Sequence, residues 1–212
     1  MHEQRQNLEI EIKLRLDAFP DYLKLLGILG NPDSEHRQVN CFFDSEDHQL
    51  LADHWALRVR VEDRWGLITL KGTAAETSGI AVVREEMEER IDRAQALSLV
   101  NLQGDVLDVD CQPIRTVKER YPGVSLAKLV MFDNLRLSKE FKIGDYMYTL
   151  ELDRTDFPDG STDYELEIEL EHTDQTPVVT NYLRRLFGTL NIPFETQEAT
   201  KFARALERSG RF

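Results

Sequence analysis

The sequence predicts an α+β fold: an eight-stranded antiparallel β-barrel with helices packed on its outside. About eight segments of the 212-residue chain alternate apolar with charged or polar residues. This alternation is typical of strands, because successive side chains point to opposite faces. Several segments between them have the spacing of amphipathic helices and need an apolar surface to cover. The charged strand positions are nearly all Glu, Asp, Arg or Lys, and like signs occur in blocks.

The first predicted strand, LEIEIKLRL at residues 8–16, shows the alternation most clearly. The charged residues that share one face of this strand are Glu9, Glu11, Lys13 and Arg15. The other face carries only Leu and Ile. A helix is predicted for FPDYLKLLGIL after Asp17, and a less regular strand candidate, QVNCFFD, follows it.

Three segments repeat the pattern in the middle of the chain: ALRVRVED, LITLKG and VVREEMEERI. The charged residues that share one face of these segments are Arg58, Arg60, Glu62, Lys71, Arg84, Glu86 and Glu88. The region from Arg93 to Tyr121 is predicted to hold two helices. The second of them begins at Pro113, since proline is favoured in the first turn of a helix.

The rest of the chain is predicted to contain three more strands and two closing helices. A strand run from Leu129 to Lys142 includes Arg136 and leads through the turn KIGDYM into YTLELD, as in a hairpin. The last strand candidate is YELEIELE. The acidic residues of one parity in these final two strands are Glu151, Asp153, Glu165, Glu167 and Glu169. The closing helices are TPVVTNYLRRLFGTL and ATKFARALERS, and the latter contains Lys201.

The charged face of a single strand is explained equally well by exposure to water, as in many antiparallel sheets. A solvent-exposed face of a sheet, however, usually carries a mixture of Thr, Ser, Gln and Lys. Like charges on neighbouring exposed strands are also unfavourable. Closing the strands into a barrel places the charged parity in the interior and the apolar parity beneath the helices. We therefore expect the charged side chains to line an enclosed, water-filled channel.

Such a channel cannot be a packed core, because unpaired interior charge is very costly. Arginine and lysine side chains are suited to binding phosphate oxygens. Carboxylates in the same channel would repel a polyphosphate unless a divalent cation lay between them. Oxygen ligands favour a hard ion, so the predicted cofactor is Mg²⁺ or Mn²⁺.

Composition limits the classes of partner. The formal net charge of −13 disfavours a broad nucleic-acid binder, because an acidic surface repels a polyanion. Two cysteines, Cys41 and Cys111, are too few for a disulfide framework. The sequence shows neither a membrane-spanning stretch nor a signal-peptide core. We expect a cytoplasmic protein with one domain, residues 1–212, acting as a monomer or homodimer without nucleic-acid or membrane partners.

The pentapeptide EIEIK, residues 9–13, resembles the ExExK signature of the CYTH family within the triphosphate tunnel metalloenzymes. This group includes inorganic triphosphatases, thiamine triphosphatases and class IV adenylate cyclases. Further pieces resemble the family's strands and final helix in the same order: CFFD, ALRVR, TLKG, REEMEE, LELD, YELEIELE and ATKF. The resemblance implies an eight-stranded tunnel and the hydrolysis or cyclisation of a small-molecule triphosphate with Mg²⁺ or Mn²⁺.

The resemblance also implies roles for individual residues. The implied metal ligands are Glu9, Glu11, Glu165, Glu167, Glu169 and Asp153, with pairing to the basic residues as the alternative role of Asp153. The implied phosphate-binding residues are Lys13, Arg15, Arg58, Arg60, Lys71, Arg84, Arg136 and Lys201. The implied catalytic carboxylates, which either hold a second metal or orient the attacking water, are Glu86, Glu88 and Glu169.

The sequence leaves several substrates open. Inorganic triphosphate ranks first, because nothing in the chain resembles a pocket for a base or a ribose. Thiamine triphosphate ranks second, because LLADHWALRVR resembles a stretch of animal thiamine triphosphatases in which a tryptophan stacks on the thiazolium ring. Trp55, however, lies one residue further from Arg58 than in that stretch, which reverses its parity. Class IV adenylate cyclase ranks third, and a non-catalytic polyphosphate- or nucleotide-binding module is disfavoured by the full carboxylate set.

Overall fold

The computed structural model describes residues 8–210 of the chain, with the backbone alone described for residues 73–76. The strands are β1 (Leu8–Leu16), β2 (Ser34–Asp44), β3 (Ala56–Val61), β4 (Gly66–Ser78), β5 (Ala81–Ile91), β6 (Ala127–Ile143), β7 (Tyr146–Asp156) and β8 (Thr162–Glu169). The helices are α1 (Phe19–Leu29), α2 (Gln49–Ala52), α3 (Arg93–Val100), α4 (Gln112–Arg120), α5 (Thr176–Leu190) and α6 (Lys201–Arg208). The order around the sheet is β1–β5–β4–β3–β2–β6–β7–β8, and β8 pairs with β1 to close it. This arrangement confirms the predicted eight-stranded antiparallel barrel.

The alternation of the sequence determines which face of each strand points inward. In β1, Ile12 and Leu14 are buried on the outer face, under the helices. Glu11 and Lys13 alternate with them and therefore point into the barrel. The register places Glu11 beside Glu169 and Lys13 beside Glu167 of β8. Charged residues of neighbouring strands thus lie side by side on the inner face.

Two apolar clusters cover the outside of the barrel. In the first, α1 and α5 pack on β1, β7 and β8. Fully or almost fully buried residues of this cluster are Leu14, Leu25, Leu152, Leu183 and Phe187. In the second, α3 and α4 pack on β3 and β4. Fully buried residues of this cluster are Leu57, Val59, Ile68, Ala96 and Ile114. The apolar parity therefore faces outward beneath the helices, as predicted.

Both cysteines are free and buried in the described structure. Burial raises the pKa of the Cys41 thiol to about 12, although the charge of Lys128 opposes this effect. The longest helix, α5, has 15 residues. Within residues 8–210, no helix combines the length and apolar character required to cross a bilayer.

Candidate active site

The interior of the barrel contains a cavity of about 370 Å³. Its volume lies in the range of about 300–1,000 Å³ that is typical of small-molecule sites. The charged side chains that line it are Glu9, Glu11, Arg58, Arg60, Lys71, Glu86, Glu88, Arg136, Glu167, Glu169 and Lys201. They come from six different strands and from α6. The structure therefore brings together most of the residues that the sequence predicted for the site.

Arg58 and Arg60 form part of the basic wall of this cavity, which we call the interior cavity. Arg60 donates from Nε to Asn40 Oδ1 at 2.8 Å, and Arg58 donates to Thr69 Oγ1 at 3.0 Å. The Nε of Arg58 is buried and has no hydrogen-bond partner among the described residues. Burial, followed by the charges of Arg58 and Arg136, lowers the pKa of Arg60. An anion in the cavity would stabilise the charged form of this guanidinium.

Arg136 and Lys201 approach the cavity from β6 and α6, held by the same buried carboxylate. Arg136 donates to both oxygens of Asp153, from Nε at 2.9 Å and from a terminal nitrogen at 2.6 Å. Lys201 Nζ lies 2.8 Å from Asp153 and 2.8 Å from Glu167, and it also pairs closely with Glu165. Helix α6 therefore places its first residue inside the barrel. The Thr200 side chain caps this helix by accepting from the backbone N–H of Ala203.

The opposite wall joins β1, β4 and β5 through alternating charges. Lys71 Nζ lies 2.9 Å from Glu9 and 2.8 Å from Glu86. Arg84 places a terminal nitrogen 3.0 Å from Glu11 Oε1, and its Nε lies 3.7 Å from Glu9. These contacts fix the two carboxylates of the ExExK segment in a strongly cationic environment.

Five predicted residues do not line the interior cavity: Lys13, Arg15, Arg84, Asp153 and Glu165. Arg84, Asp153 and Glu165 instead pair with residues that do line it. Lys13 is buried between Glu11 and Glu167, at 3.0 and 2.9 Å. Arg15 has the same parity but lies at the end of β1, where its side chain is 47% exposed and pairs with Asp17 and Glu195. The structure therefore does not bring Arg15 together with the cavity residues.

The carboxylates of the cavity differ in their electrostatics. Burial tends to raise the pKa of Glu167, but Lys13, Lys201 and Arg136 outweigh it and hold that pKa well below the usual range. For Glu169, partial burial and the nearby charges of Glu151 and Glu9 raise the pKa to about 7. The pKa values of Glu167 and Glu169, two residues apart on β8, are therefore shifted in opposite directions.

The site offers oxygen ligands in two places. Glu9, Glu11, Glu86, Glu88 and Glu169 line the interior cavity, and Glu11 Oε1 is buried with the Arg84 guanidinium as its ion-pair partner. Asp153, Glu165 and Glu167 present oxygens that all lie within 4.8 Å of one another. The ammonium of Lys201 lies among these three carboxylates. An all-oxygen donor set fits a hard divalent cation such as Mg²⁺ or Mn²⁺.

A second cavity, of about 420 Å³, adjoins the interior cavity and shares Arg58, Arg60, Lys71 and Lys201 with it. We call it the aromatic cavity, because its walls include Phe42, Trp55, Phe132 and Phe202. The rings of Phe42 and Phe202 stack at a centroid distance of 4.3 Å. Trp55 lies between α2 and β3, outside the strands, so strand parity does not decide the direction of its side chain.

Sequence reasoning missed Asn40, Thr69 and Arg204 as members of the site. Asn40 and Thr69 are neutral, so a search for charged residues on the inner strand face does not find them. Both nevertheless accept hydrogen bonds from arginines of the cavity. Arg204 lies on α6 and pairs with Glu165 at 2.6 Å. The position of Arg204 three residues after Lys201, on the same helical face, is the signal that could have identified it.

Comparisons with known proteins agree with this geometry. The CYTH domain family model matches residues 7–202. A Hippeastrum protein, HpAC1, described as a candidate adenylyl cyclase with a dominant triphosphatase activity, is 29% identical. Its structure has a TM-score of 0.82, and the match covers 95% of this chain and 96% of that one. No curated protein sequence matches the chain.

More distant structures share the fold. A candidate adenylate cyclase from Bacillus halodurans is 20% identical, with a TM-score of 0.69 over 93% of this chain and 97% of that one. The PH1819 protein of Pyrococcus horikoshii is 14% identical, with a TM-score of 0.60 over 93% and 99% of the two chains. The family match spans all eight strands and reaches the start of α6. This chain belongs to the CYTH domain family.

Proposed function

We propose that this protein hydrolyses inorganic triphosphate to pyrophosphate and phosphate with the help of Mg²⁺ or Mn²⁺. The observation that carries the proposal is the composition of the interior cavity, in which carboxylates and guanidinium groups face one enclosed space. A site that only bound polyphosphate would need the cations more than it would need the acidic residues. The Hippeastrum protein of similar structure has a dominant triphosphatase activity, which supports the same chemistry here.

The basic residues would bind the phosphate chain. Arg58, Arg60 and Arg136 present planar donors that suit phosphate oxygens, and Lys71 and Lys201 add compact charges. Substrate binding would replace some of the present ion pairs, such as that of Lys71 with Glu86. These cations would stabilise the negative charge of the pyrophosphate as it leaves, because they are already oriented before the reaction starts.

Glu9 and Glu11 would hold the metal, together with carboxylates of β8 such as Glu169. When bound, the ion offsets the repulsion between substrate and carboxylates and polarises phosphoryl oxygens. Water attacks the terminal phosphorus, the bond from that phosphorus to the bridging oxygen breaks, and pyrophosphate takes the electron pair. The proton of the water passes to a cavity carboxylate, for which Glu86, Glu88 and Glu169 are the candidates.

An organic triphosphate such as thiamine triphosphate is the second candidate substrate. The observation that favours it is the aromatic cavity, which continues from the basic wall and could hold a planar group attached to the phosphate chain. Arg120 lies over the Trp55 ring at 4.3 Å from the centroid. A thiazolium ring that stacked on the other face of Trp55 would gain a cation–π contact.

A comparison of substrates tests the proposed function. Phosphate release should be measured for inorganic triphosphate, thiamine triphosphate and ATP, each with Mg²⁺ and with Mn²⁺. We expect inorganic triphosphate to give the highest kcat/KM and chelation of the metal to stop the reaction. A higher kcat/KM for thiamine triphosphate would favour the second candidate. Binding of triphosphate without any phosphate release under either metal would refute the enzymatic proposal.

A substitution of Glu11 sharpens this test. Glu11→Gln removes one anionic ligand from the interior cavity, and we expect kcat/KM for inorganic triphosphate to fall about 100-fold or more. Glu85→Gln is the matched control, because Glu85 precedes Glu86 on β5 and alternation places it on the outer face. We expect the control to keep the activity of the unmodified protein. Full activity in Glu11→Gln would contradict the proposed role of Glu11 as a metal ligand.

A further inference from the structure

We propose that Thr69 is a positioning residue that keeps Arg58 and Glu88 apart and correctly oriented in the interior cavity. The inference rests on the proposed triphosphatase function, in which Arg58 binds phosphate oxygens and Glu88 is a candidate acceptor for the proton of water. Thr69 itself is expected to touch neither substrate nor metal. It acts through its two neighbours.

The three residues form one row across three adjacent strands. The β3–β4 register places Arg58 directly opposite Thr69, and the β4–β5 register places Thr69 directly opposite Glu88. Thr69 is fully buried, at 0% exposure. Its hydroxyl lies 3.0 Å from a terminal nitrogen of Arg58 and 2.9 Å from Glu88 Oε2.

The chemistry of the row fixes the direction of both hydrogen bonds. A guanidinium group can only donate, so the Thr69 oxygen accepts from Arg58. The single hydroxyl proton is then directed at Glu88, which accepts it on Oε2. Because threonine is β-branched, its χ1 angle is stiff and the position of the hydroxyl is well defined.

In the neighbouring row of the same strands, β4 contributes a cation where the first row has the Thr69 hydroxyl. Lys71 lies opposite Glu86, two residues along β4 and β5, and the two side chains pair directly at 2.8 Å. Arg58 and Glu88 form only a long ion pair, at 3.5 Å between the terminal nitrogen and Oε2, which is beyond good hydrogen-bond distance. The Nε of Arg58, which is buried, has no partner among residues 8–210. Arg58 therefore retains donor capacity for an incoming anion while Thr69 holds one of its terminal nitrogens.

Loss of the hydroxyl should let the two charges collapse onto each other. The Arg58 side chain is 11% exposed and that of Glu88 39%, so solvent screens their attraction only in part. A direct pair would occupy the donors of Arg58 and cover the oxygen of Glu88, so both would be withdrawn from the reaction. Thr69→Val has nearly the same shape and removes only the hydroxyl, whereas Thr69→Ser keeps it.

Kinetics and structure together test the proposal. We expect Thr69→Val to lower kcat/KM for inorganic triphosphate about 100-fold, as for a misplacement of about 1 Å in a catalytic site. Thr69→Ser should stay within about 3-fold of the unmodified protein, because it restores both hydrogen bonds. Thr155→Val is the matched control. Thr155 is also a buried threonine of the barrel interior, but its hydroxyl bonds to Asn134 and not to the cations. We expect this control to keep its kcat/KM.

A crystal structure of Thr69→Val gives a readout that does not depend on turnover. We expect the terminal nitrogen of Arg58 to move from 3.5 Å to direct hydrogen-bond distance from Glu88. Unmoved side chains, equal losses in the Val and Ser variants, or an equal loss in Thr155→Val would each overturn the inference. If the unmodified protein hydrolyses no triphosphate, the proposed function fails, and the crystal structure still decides the role of Thr69.

Discussion

Asp153 shows how single residues make a charged interior possible. Its side chain is completely buried, at 0% exposure, yet it lies between Arg136 and Lys201 and accepts two hydrogen bonds from the former. Burial alone would raise the pKa of Asp153, but these two cations outweigh it and lower the pKa to about 2. The residue therefore contributes to stability in its ionised form and orients two cations of the site.

Replacement of Asp153 should consequently destabilise the protein. Asp153→Asn removes one buried counter-charge that Arg136 and Lys201 share, although both cations keep Glu167 as a partner. We therefore expect a cost of about 3 kcal/mol, at the low end of the range for breaking a buried ion pair. Urea denaturation at neutral pH measures the difference. Asp156→Asn on the same strand is the matched control, because Asp156 and Arg154 are both 46% exposed and such surface pairs contribute only about 0–1 kcal/mol.

The pH dependence of this effect has a definite sign. The folded pKa of Asp153 lies below its ordinary value of 3.8, so the unfolded chain takes up the proton first as the pH falls. We expect the difference in stability between the unmodified protein and Asp153→Asn to be constant above about pH 5. It should then shrink as the pH falls from 3.8 towards 2. A difference that grew with acid, or was equal to that of Asp156→Asn, would contradict this role.

At the residue scale, the sequence predicts the face of a side chain better than its partner. The alternation in β1 placed Glu9, Glu11 and Lys13 correctly on the inner face, because strand parity is a local property. It could not show that Arg15 leaves the cavity, because parity says nothing about position along the barrel axis. The pairing of Lys201 with Asp153 joins distant parts of the chain and depends on how α6 docks.

At the scale of elements, β-strands could be recognised because each one carries its own two-residue period. Their ends were less well defined: β6 begins at Ala127 and ends at Ile143, one or two residues beyond the predicted Leu129–Lys142 run. The positions at which helices pack on the barrel are harder to predict from the sequence. Helix α3 approaches β4 closely at Gly66, where a Cβ would overlap the Cβ of Ala96. Nothing in the segment RWGLITL indicates this contact.

Gly66 therefore allows α3 to pack directly on the barrel. Gly66→Ala should destabilise the protein by about 1–3 kcal/mol, as overpacked cores do. The matched control is Gly27→Ala in α1, where an added Cβ meets nothing within 4 Å. Alanine is the better helix former, so we expect this control to stabilise the protein by about 0.5–1 kcal/mol. Chemical denaturation of the two variants provides the measurement, and equal effects would contradict the close approach of α3.

At the scale of the whole molecule, the chain concentrates cations, together with carboxylates, in the interior of the barrel. It carries a formal charge of −13, yet Arg58, Arg60, Lys71, Arg136 and Lys201 gather around one interior cavity. The net negative charge alone would predict that the protein repels polyanions. The alternation across many strands indicated the opposite, because closure of the sheet brings the charged faces together. The aromatic cavity could not be predicted in this way, since its walls come from β2, β6, α6 and the segment around Trp55.

The most direct test of the interior site is a crystal structure of the protein with Mg²⁺ and imidotriphosphate, a triphosphate analogue with nitrogen bridges that resists hydrolysis. We expect its phosphoryl oxygens to lie about 3 Å from the guanidinium groups of Arg58, Arg60 and Arg136, and the cation to contact Glu9 and Glu11. An analogue bound on the outer surface of the barrel, with the interior ion pairs unchanged, would contradict the assignment of the cavity as the triphosphate site.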